Sequence, residues 1–174
     1  DGPLAKESVR ILYGELAKSR TPRIKALFNE WKKTFCQVCG YDFRSPRVDV
    51  KELVTAYEIR GKKVGIAELL FVIHTYFAIV IKFLAAEITV TYASPLFRSF
   101  LDEVGALRSL KMRDKLMELE EGGLFSDLGI KNFLEGDFFG WYNDVWNDAI
   151  HRMISKIISK LAEYEPATAT LEPD

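Results

Sequence analysis

The feature that most constrains the fold is the run Leu69 to Ile81, thirteen residues between Glu68 and Lys82 that carry no charge. Drawn as a helix, the run is apolar nearly all round, so other elements must surround it. It belongs to one long helix, about Gly65 to Tyr92. The run is shorter than the roughly 18–20 apolar residues that a membrane span needs, and it contains His74, so a buried central helix is expected instead. Ile88-Thr89-Val90-Thr91-Tyr92 has a β-like composition but continues the same helix.

The flanking sequence supplies helices to cover it. Thr21-Pro22 reads as an N-cap followed by proline at the first helical position. Ile24, Leu27, Phe28, Trp31, Phe35 and Val38 then recur at steps of three and four until Gly40 stops the run. A helix from Pro3 to about Ser19 turns Ala5, Val9, Leu12 and Leu16 inward. Asp49 is placed to cap a shorter one, with Val50, Leu53, Val54 and Tyr57 inward and Gly61 at its end. Ser94-Pro95 restarts a helix through about Val104, and Ser109 caps another to Glu121. The closing helix carries Val145 or Trp146, Ile150, Met153, Ile154, Ile157, Ile158 and Leu161 as its inward stripe. The expectation is an all-α multi-helix bundle of six to eight helices around a buried central helix.

With 174 residues, 48% of them hydrophobic, the chain suits one sizeable core, and a single helical domain over 1–174 is expected. No targeting pattern appears, which fits a cytoplasmic location without membrane contact. The net charge of −1 conceals an asymmetry: residues 1–64 hold 14 Lys and Arg against 8 Asp and Glu, and the remainder 10 against 17. Phosphates of DNA are natural partners for a basic half. The candidate backbone contacts are Lys18, Arg20, Arg23 and Lys25, then Arg44 and Arg47, then Arg60, Lys62 and Lys63. Solvation at loop tips and helix ends explains such residues equally well.

Four constellations invite a chemical reading, and each meets a plainer one or an objection. Cys36-Gln37-Val38-Cys39-Gly40 looks like half a zinc knuckle, but these are the only two cysteines and both histidines are remote, so two small buried thiols are expected. Asp144, Asp148 and His151, at i, i+4 and i+7 of the last helix, share a face that one helix cannot complete into a metal site; a solvated polar face is expected. His74 inside the apolar helix reads as a core histidine, with Glu68, Lys82 and Glu87 free to make polar contacts between helices. Asp49 with Glu58-Ile59-Arg60 is the nearest approach to a nuclease motif, and it has arginine for lysine and falls on a helix.

The stretch from Gly122 to Trp146 packs seven aromatic residues among glycines. Phe133, Phe138, Phe139 and Trp141 are expected to form a buried structural corner on a tight turn. Asn132 to Tyr142, reading NFLEGDFFGWY, resembles a segment just upstream of the catalytic domain in large N6-adenine DNA methyltransferases of restriction–modification systems, the type II restriction enzyme methylase subunits. Gly140 departs from that family's usual serine. Leu27 to Trp31, Glu68 to Ala78, Lys82 to Glu87 and Tyr164 to Thr168 are similar to the family's flanking segments.

The resemblance implies S-adenosylmethionine and DNA as ligands of a parent enzyme and a flanking methyltransferase domain as neighbour. Neither ligand is implied for this chain, which lacks a glycine loop for the cofactor and an Asn-Pro-Pro-Tyr-type tetrapeptide to grip an extruded adenine. No P-loop, GxGxxG, GxSxG or HExxH occurs either. No catalytic, cofactor-binding or metal residue is therefore assigned. The chain is expected to be a piece of a larger enzyme acting as a noncatalytic helical connector. The alternative is a free-standing helical interaction domain docking through the 122–146 corner.

Overall fold

The computed structural model describes residues 2–19, 21–45, 50–59, 64–93, 98–127, 129–131 and 138–164. Among them are eight α-helices, one 3-10 helix and no strand, so the all-α expectation holds. In chain order the α-helices are α1 (Pro3–Lys18), α2 (Pro22–Cys39), α3 (Val50–Ala56), α4 (Ile66–Ala93), α5 (Phe100–Gly105), α6 (Ser109–Glu120), α7 (Gly123–Asp127) and α8 (Asp148–Ala162). The 3-10 helix Gly140–Val145 precedes α8. By compactness the chain divides into two units, 1–78 with 138–153 and 79–137 with 154–174, and α4 and α8 each supply residues to both.

In the first unit α1 buries Ser8, Val9 and Leu12, and α2 buries Ile24 and Trp31. Gly40 ends α2 with φ +58°, a left-handed conformation that glycine adopts without a Cβ clash. Val38, expected inward, is 78% exposed because it belongs to the last turn of α2, beyond the side chains that cover Trp31. α3 stops at Ala56, before Gly61. Its end has the hydrogen bonds of a Schellman motif: Ile59 N–H donates to Val54 O at 2.9 Å and Glu58 N–H to Thr55 O at 3.1 Å. Glu58 occupies the position that usually belongs to glycine, with φ +53°. Asp49 and Gly61, read as the two ends of this helix, lie outside the described residues.

In the second unit α5 buries Phe100, Leu101 and Val104, α6 buries Met112, Leu116 and Leu119, and α7 buries Phe125. α5 packs on α6 and α6 on α7. Glu87, only 3% exposed, docks α4 on the start of α5. Its Oε2 accepts from the Ser99 hydroxyl and from Leu101 N–H, both at 3.0 Å, while Ser99 Oγ caps α5 by accepting from Asp102 N–H at 3.1 Å. Negative charge at the amino end of a helix meets unsatisfied N–H groups and the positive pole of the helix dipole. Lys82, 7% exposed, meets Glu120 of α6 at 2.5 Å. The polar contacts expected of Lys82 and Glu87 are thus made between helices. Ile154, Ile157 and Ile158 form the buried stripe of α8 here.

α8 begins later than its apolar pattern suggests. Asn147 Oδ1 accepts from Ala149 N–H at 2.8 Å and Ile150 N–H at 3.1 Å, the bonding of an N-cap. Asp144 consequently belongs to the 3-10 helix and does not share a face with Asp148 and His151. Cys36 is half-buried and Cys39 exposed, because the last turn of α2 projects past its packing partners, so the expectation of two buried thiols is corrected.

Replacing Glu87 with alanine leaves the half-buried Ser99 hydroxyl and the buried Leu101 N–H without their acceptor, and should cost about 2–3 kcal/mol in urea unfolding. Glu87→Gln keeps a carbonyl acceptor and should cost less than half as much. Equal losses in the two variants would show that charge, and not the acceptor geometry, holds α5.

Candidate functional site

The resemblance-bearing stretch enters the structure through Trp141. The 3-10 helix places this side chain, wholly buried, on α4 within the first unit. Indole Nε1 donates to Thr75 Oγ1 at 2.9 Å, and the Thr75 hydroxyl donates in turn to Phe71 O at 2.9 Å. A threonine inside an apolar helix ordinarily bonds back to its own i−4 carbonyl, and here the same oxygen also receives the buried indole N–H. The indole stacks on Phe71, with ring centroids 5.9 Å apart and planes 21° apart.

Phe71 is the hub of the ring cluster. It also meets Phe28 at 5.4 Å, Trp31 at 5.1 Å and Phe139 at 5.8 Å. One turn along α4, His74 lies edge-on to Trp31 at 5.5 Å, with Phe35 at 5.4 Å and Phe139 at 6.3 Å. None of these three is an acid or a base. Burial among them pushes the His74 imidazole below its ordinary value, because a charged ring loses hydration there. Phe35, Tyr41 and Phe43 pack on one another at 4.9–5.8 Å, and Lys32 Nζ lies 5.3 Å from the Phe43 ring. These rings fill one another's space, so the cluster is a packed framework.

Of the expected corner, Trp141 is fully buried, Phe138 and Phe139 are half-buried, and Phe133 lies outside the described residues. The basic candidates divide similarly. Arg20, Arg47, Arg60, Lys62 and Lys63 lie outside the described residues. Lys18 pairs with Glu15 at 3.0 Å and stays 74% exposed. Arg23 donates to Asp144 Oδ1 at 2.7 Å, tying the first turn of α2 to the 3-10 helix. Lys25 is exposed two residues on. Lys18, Arg23 and Lys25 therefore gather where α1 gives way to α2. Arg44 does not join them: α2 rises about 27 Å over its length, and Arg44 pairs with Asp42 at 3.1 Å beyond its far end. The backbone N–H of Arg44, and then its guanidinium, hold the Asp42 carboxyl below its usual range.

Sequence reasoning missed a cleft of about 400 Å³ between α1 and the end of α3, lined by Arg10, Tyr13, Gly14, Glu58 and Ile59. Glu58 meets Arg10 at 2.9 Å and Lys6 at 3.4 Å. Glu58, weighed above in a nuclease motif, is thus committed to an ion-pair pattern with α1; Asp49 and Arg60 lie outside the described residues. No group of three or more His, Cys, Asp or Glu converges on a metal position among the described residues.

By length and composition α4 is long and apolar enough to cross a membrane, with a mean hydropathy of 2.1 over an 18-residue window of which 50% is buried. The apolar run counted in the sequence stops at Lys82, whereas the helix continues to Ala93. The Lys82–Glu120 pair holds the end of α6, with exposed Glu118 and Glu121, against α4 near its midpoint. A bilayer would put its hydrocarbon centre there, where exposed carboxylates cost several kcal/mol. No protein-family model, curated protein or solved structure matches the chain.

Two measurements test this framework. Trp141→Ala should lower stability by about 3–5 kcal/mol, the range for a fully buried large aromatic, whereas Trp141→Phe should lose mainly one hydrogen bond, about 1 kcal/mol. An unshifted thermal midpoint in Trp141→Ala would contradict the buried anchor. For His74 the folded state favours the neutral ring, so the unfolded chain binds the proton more readily. Its stabilising contribution is complete above the ordinary value of 6.5 and declines as pH falls below it, until the folded ring also protonates. The stability difference between about pH 7.5 and about pH 5 should therefore be smaller in His74→Phe than in the unaltered chain.

Proposed function

We propose that this chain is a noncatalytic helical connector of a site-specific N6-adenine DNA methyltransferase or restriction–modification enzyme. The observation that carries the reading is the burial of Trp141 and its bond to Thr75. The described part of the stretch that resembles the family's pre-catalytic segment, residues 138–142, packs into the internal framework, as a spacer element requires. Trp141 and Tyr142, both at 0% exposure, offer no ring for docking through the same corner. A connector works mechanically: it fixes the separation and orientation of the parts it joins, and such precision comes from rigid elements with locked side chains.

On this reading S-adenosylmethionine and DNA are ligands of the parent enzyme, which acts in the cytoplasm beside a flanking methyltransferase domain. The decisive experiment is to read the frame downstream of Asp174 in the source genome. A frame continuing into a cofactor loop and an Asn-Pro-Pro-Tyr-type tetrapeptide supports the connector; a stop codon at that point sinks it.

The basic group at the junction of α1 and α2 makes a narrower contribution. Any DNA affinity of the chain should be weak, independent of sequence and steeply reduced by salt, as phosphate neutralisation dictates. Lys18→Ala with Lys25→Ala should lower it uniformly across duplex sequences in fluorescence anisotropy. Arg23→Ala should instead act through stability, since its guanidinium is held by Asp144. Affinity unchanged in the double variant would show that both lysines are merely solvated.

A further inference from the structure

Two residues that cost the fold stability line the same cleft between α1 and the end of α3. Glu58 holds the left-handed position, φ +53°, that glycine ordinarily takes. Gly14 lies inside α1, where a residue without a Cβ weakens the helix, and a Cβ built there meets nothing within 4 Å. Close packing therefore does not require the glycine. Local choices that oppose the fold and lack a packing reason gather at functional sites.

The cleft has a charged middle and an apolar end. The space of about 400 Å³ beside Tyr13, Gly14 and Ile59 adjoins a lobe of about 360 Å³ that reaches past Lys6 to Pro3, and Arg10 and Glu58 line both. Glu58 lies across the middle: its Oε2 accepts from Arg10 at 2.9 Å and its Oε1 from Lys6 at 3.4 Å. Two cations there face one carboxylate, so the middle keeps one positive charge. The Glu58 side chain is 53% exposed and free to swing into water. At the other end burial pushes the Tyr13 phenol up; the Gly65 N–H, donating to its oxygen at 3.3 Å, opposes that shift, and the Glu68 carboxylate reinforces it. A negative ligand group is thus favoured at Lys6 and Arg10 and disfavoured beside Tyr13.

We infer that this cleft binds a small phosphate monoester of a flat ring, and that Glu58 holds the phosphate position while the ligand is absent. A phosphate dianion matches both charges of Lys6 and Arg10, which the single charge of Glu58 does not, and a guanidinium meets two of its oxygens side by side. A carboxylate ligand brings no more charge than Glu58 already supplies, and so has less advantage in displacing it. Arg10 and Gly14 are about one helical turn apart, roughly 6 Å along α1, the reach from a phosphate to the ring it esterifies. The missing Cβ of Gly14 leaves room for that ring beside Tyr13 and Ile59. The left-handed residue at the end of α3 has a side chain directed at α1, where the glycine usual at this position would have none. The inference goes beyond the connector reading, and none of the residues that hold the ligand lies in a segment resembling the methyltransferases.

Titration with phenyl phosphate, followed by heteronuclear NMR, should shift the amides of Arg10, Gly14 and Ile59 saturably below about 10 mM. Inorganic phosphate should bind at least about fivefold more weakly, for want of a ring to bury, and phenol should leave the spectrum unchanged. Arg10→Gln should weaken phenyl phosphate at least about tenfold. Glu58→Gly should tighten it about threefold or more, because the competing carboxylate is gone. Gly14→Leu fills the slot and should reduce phenyl phosphate to the level of inorganic phosphate, with Gly14→Ala part of the way. Glycine suits the left-handed position and leucine or alanine suits a helix, so these three variants should keep the thermal midpoint. Absence of saturable shifts up to about 10 mM would overturn the proposal, as would binding that Arg10→Gln leaves intact. Weaker binding in Glu58→Gly would overturn the role of Glu58 as occupant. An unchanged preference for phenyl phosphate over inorganic phosphate in both Gly14 variants would overturn the ring slot.

Discussion

An apolar helix has no reason of its own to prefer one rotation about its axis, and in the first unit the bond from Trp141 to Thr75 supplies that reason. Leucine, isoleucine, valine and phenylalanine around α4 pack acceptably in many rotations. A buried indole N–H is less tolerant, because leaving it without an acceptor costs about 1–3 kcal/mol. Once Thr75 faces the 3-10 helix, Phe71 is set against the indole, and Phe28 and Trp31 of α2 pack on Phe71 in turn. One hydroxyl thereby converts a greasy cylinder into an element with a defined angular setting.

The second unit solves the same problem with charge. Glu87 accepts two hydrogen bonds at the start of α5, and Lys82 meets Glu120 from α6. Burying these groups is unfavourable by itself, and replacing such pairs with well-packed apolar residues often gains stability. Their value here is selective: a slipped α5 or α6 would leave a buried ion without its counterpart. A helix as apolar as α4 gains most from such markers, since hydrophobic contact alone discriminates poorly between neighbouring registers.

Much of the helical framework is legible in the chain because it depends on repeating signals. The three- and four-residue recurrence in α2, ended by Gly40, and the isoleucine stripe of α8 both follow from the period of the helix. What could not be read depends on individual partners. Asn147 caps α8 through two backbone bonds that no periodic pattern announces, and that displaces Asp144 from the helix on which it seemed to lie. The exposure of Val38 and Cys39 reflects how far neighbouring elements reach along α2, which is a tertiary fact. Arg23 reads in sequence as one of a basic group, yet its partner lies 121 positions away. Thr75 did leave a trace, as a lone hydroxyl in an apolar run four residues after Phe71, but nothing local identifies Trp141 as its donor.

The end of α3 couples chain geometry to the ionic medium. Glycine would occupy the left-handed position of Glu58 without strain, and a side chain there costs of the order of 1 kcal/mol. Its carboxylate recovers interaction with Lys6 and Arg10, both partly exposed. Such pairs weaken as dissolved ions shield them, whereas backbone strain is indifferent to salt. Raising the ionic strength therefore weakens the compensation and leaves the cost, so brine loosens this corner between α1 and α3.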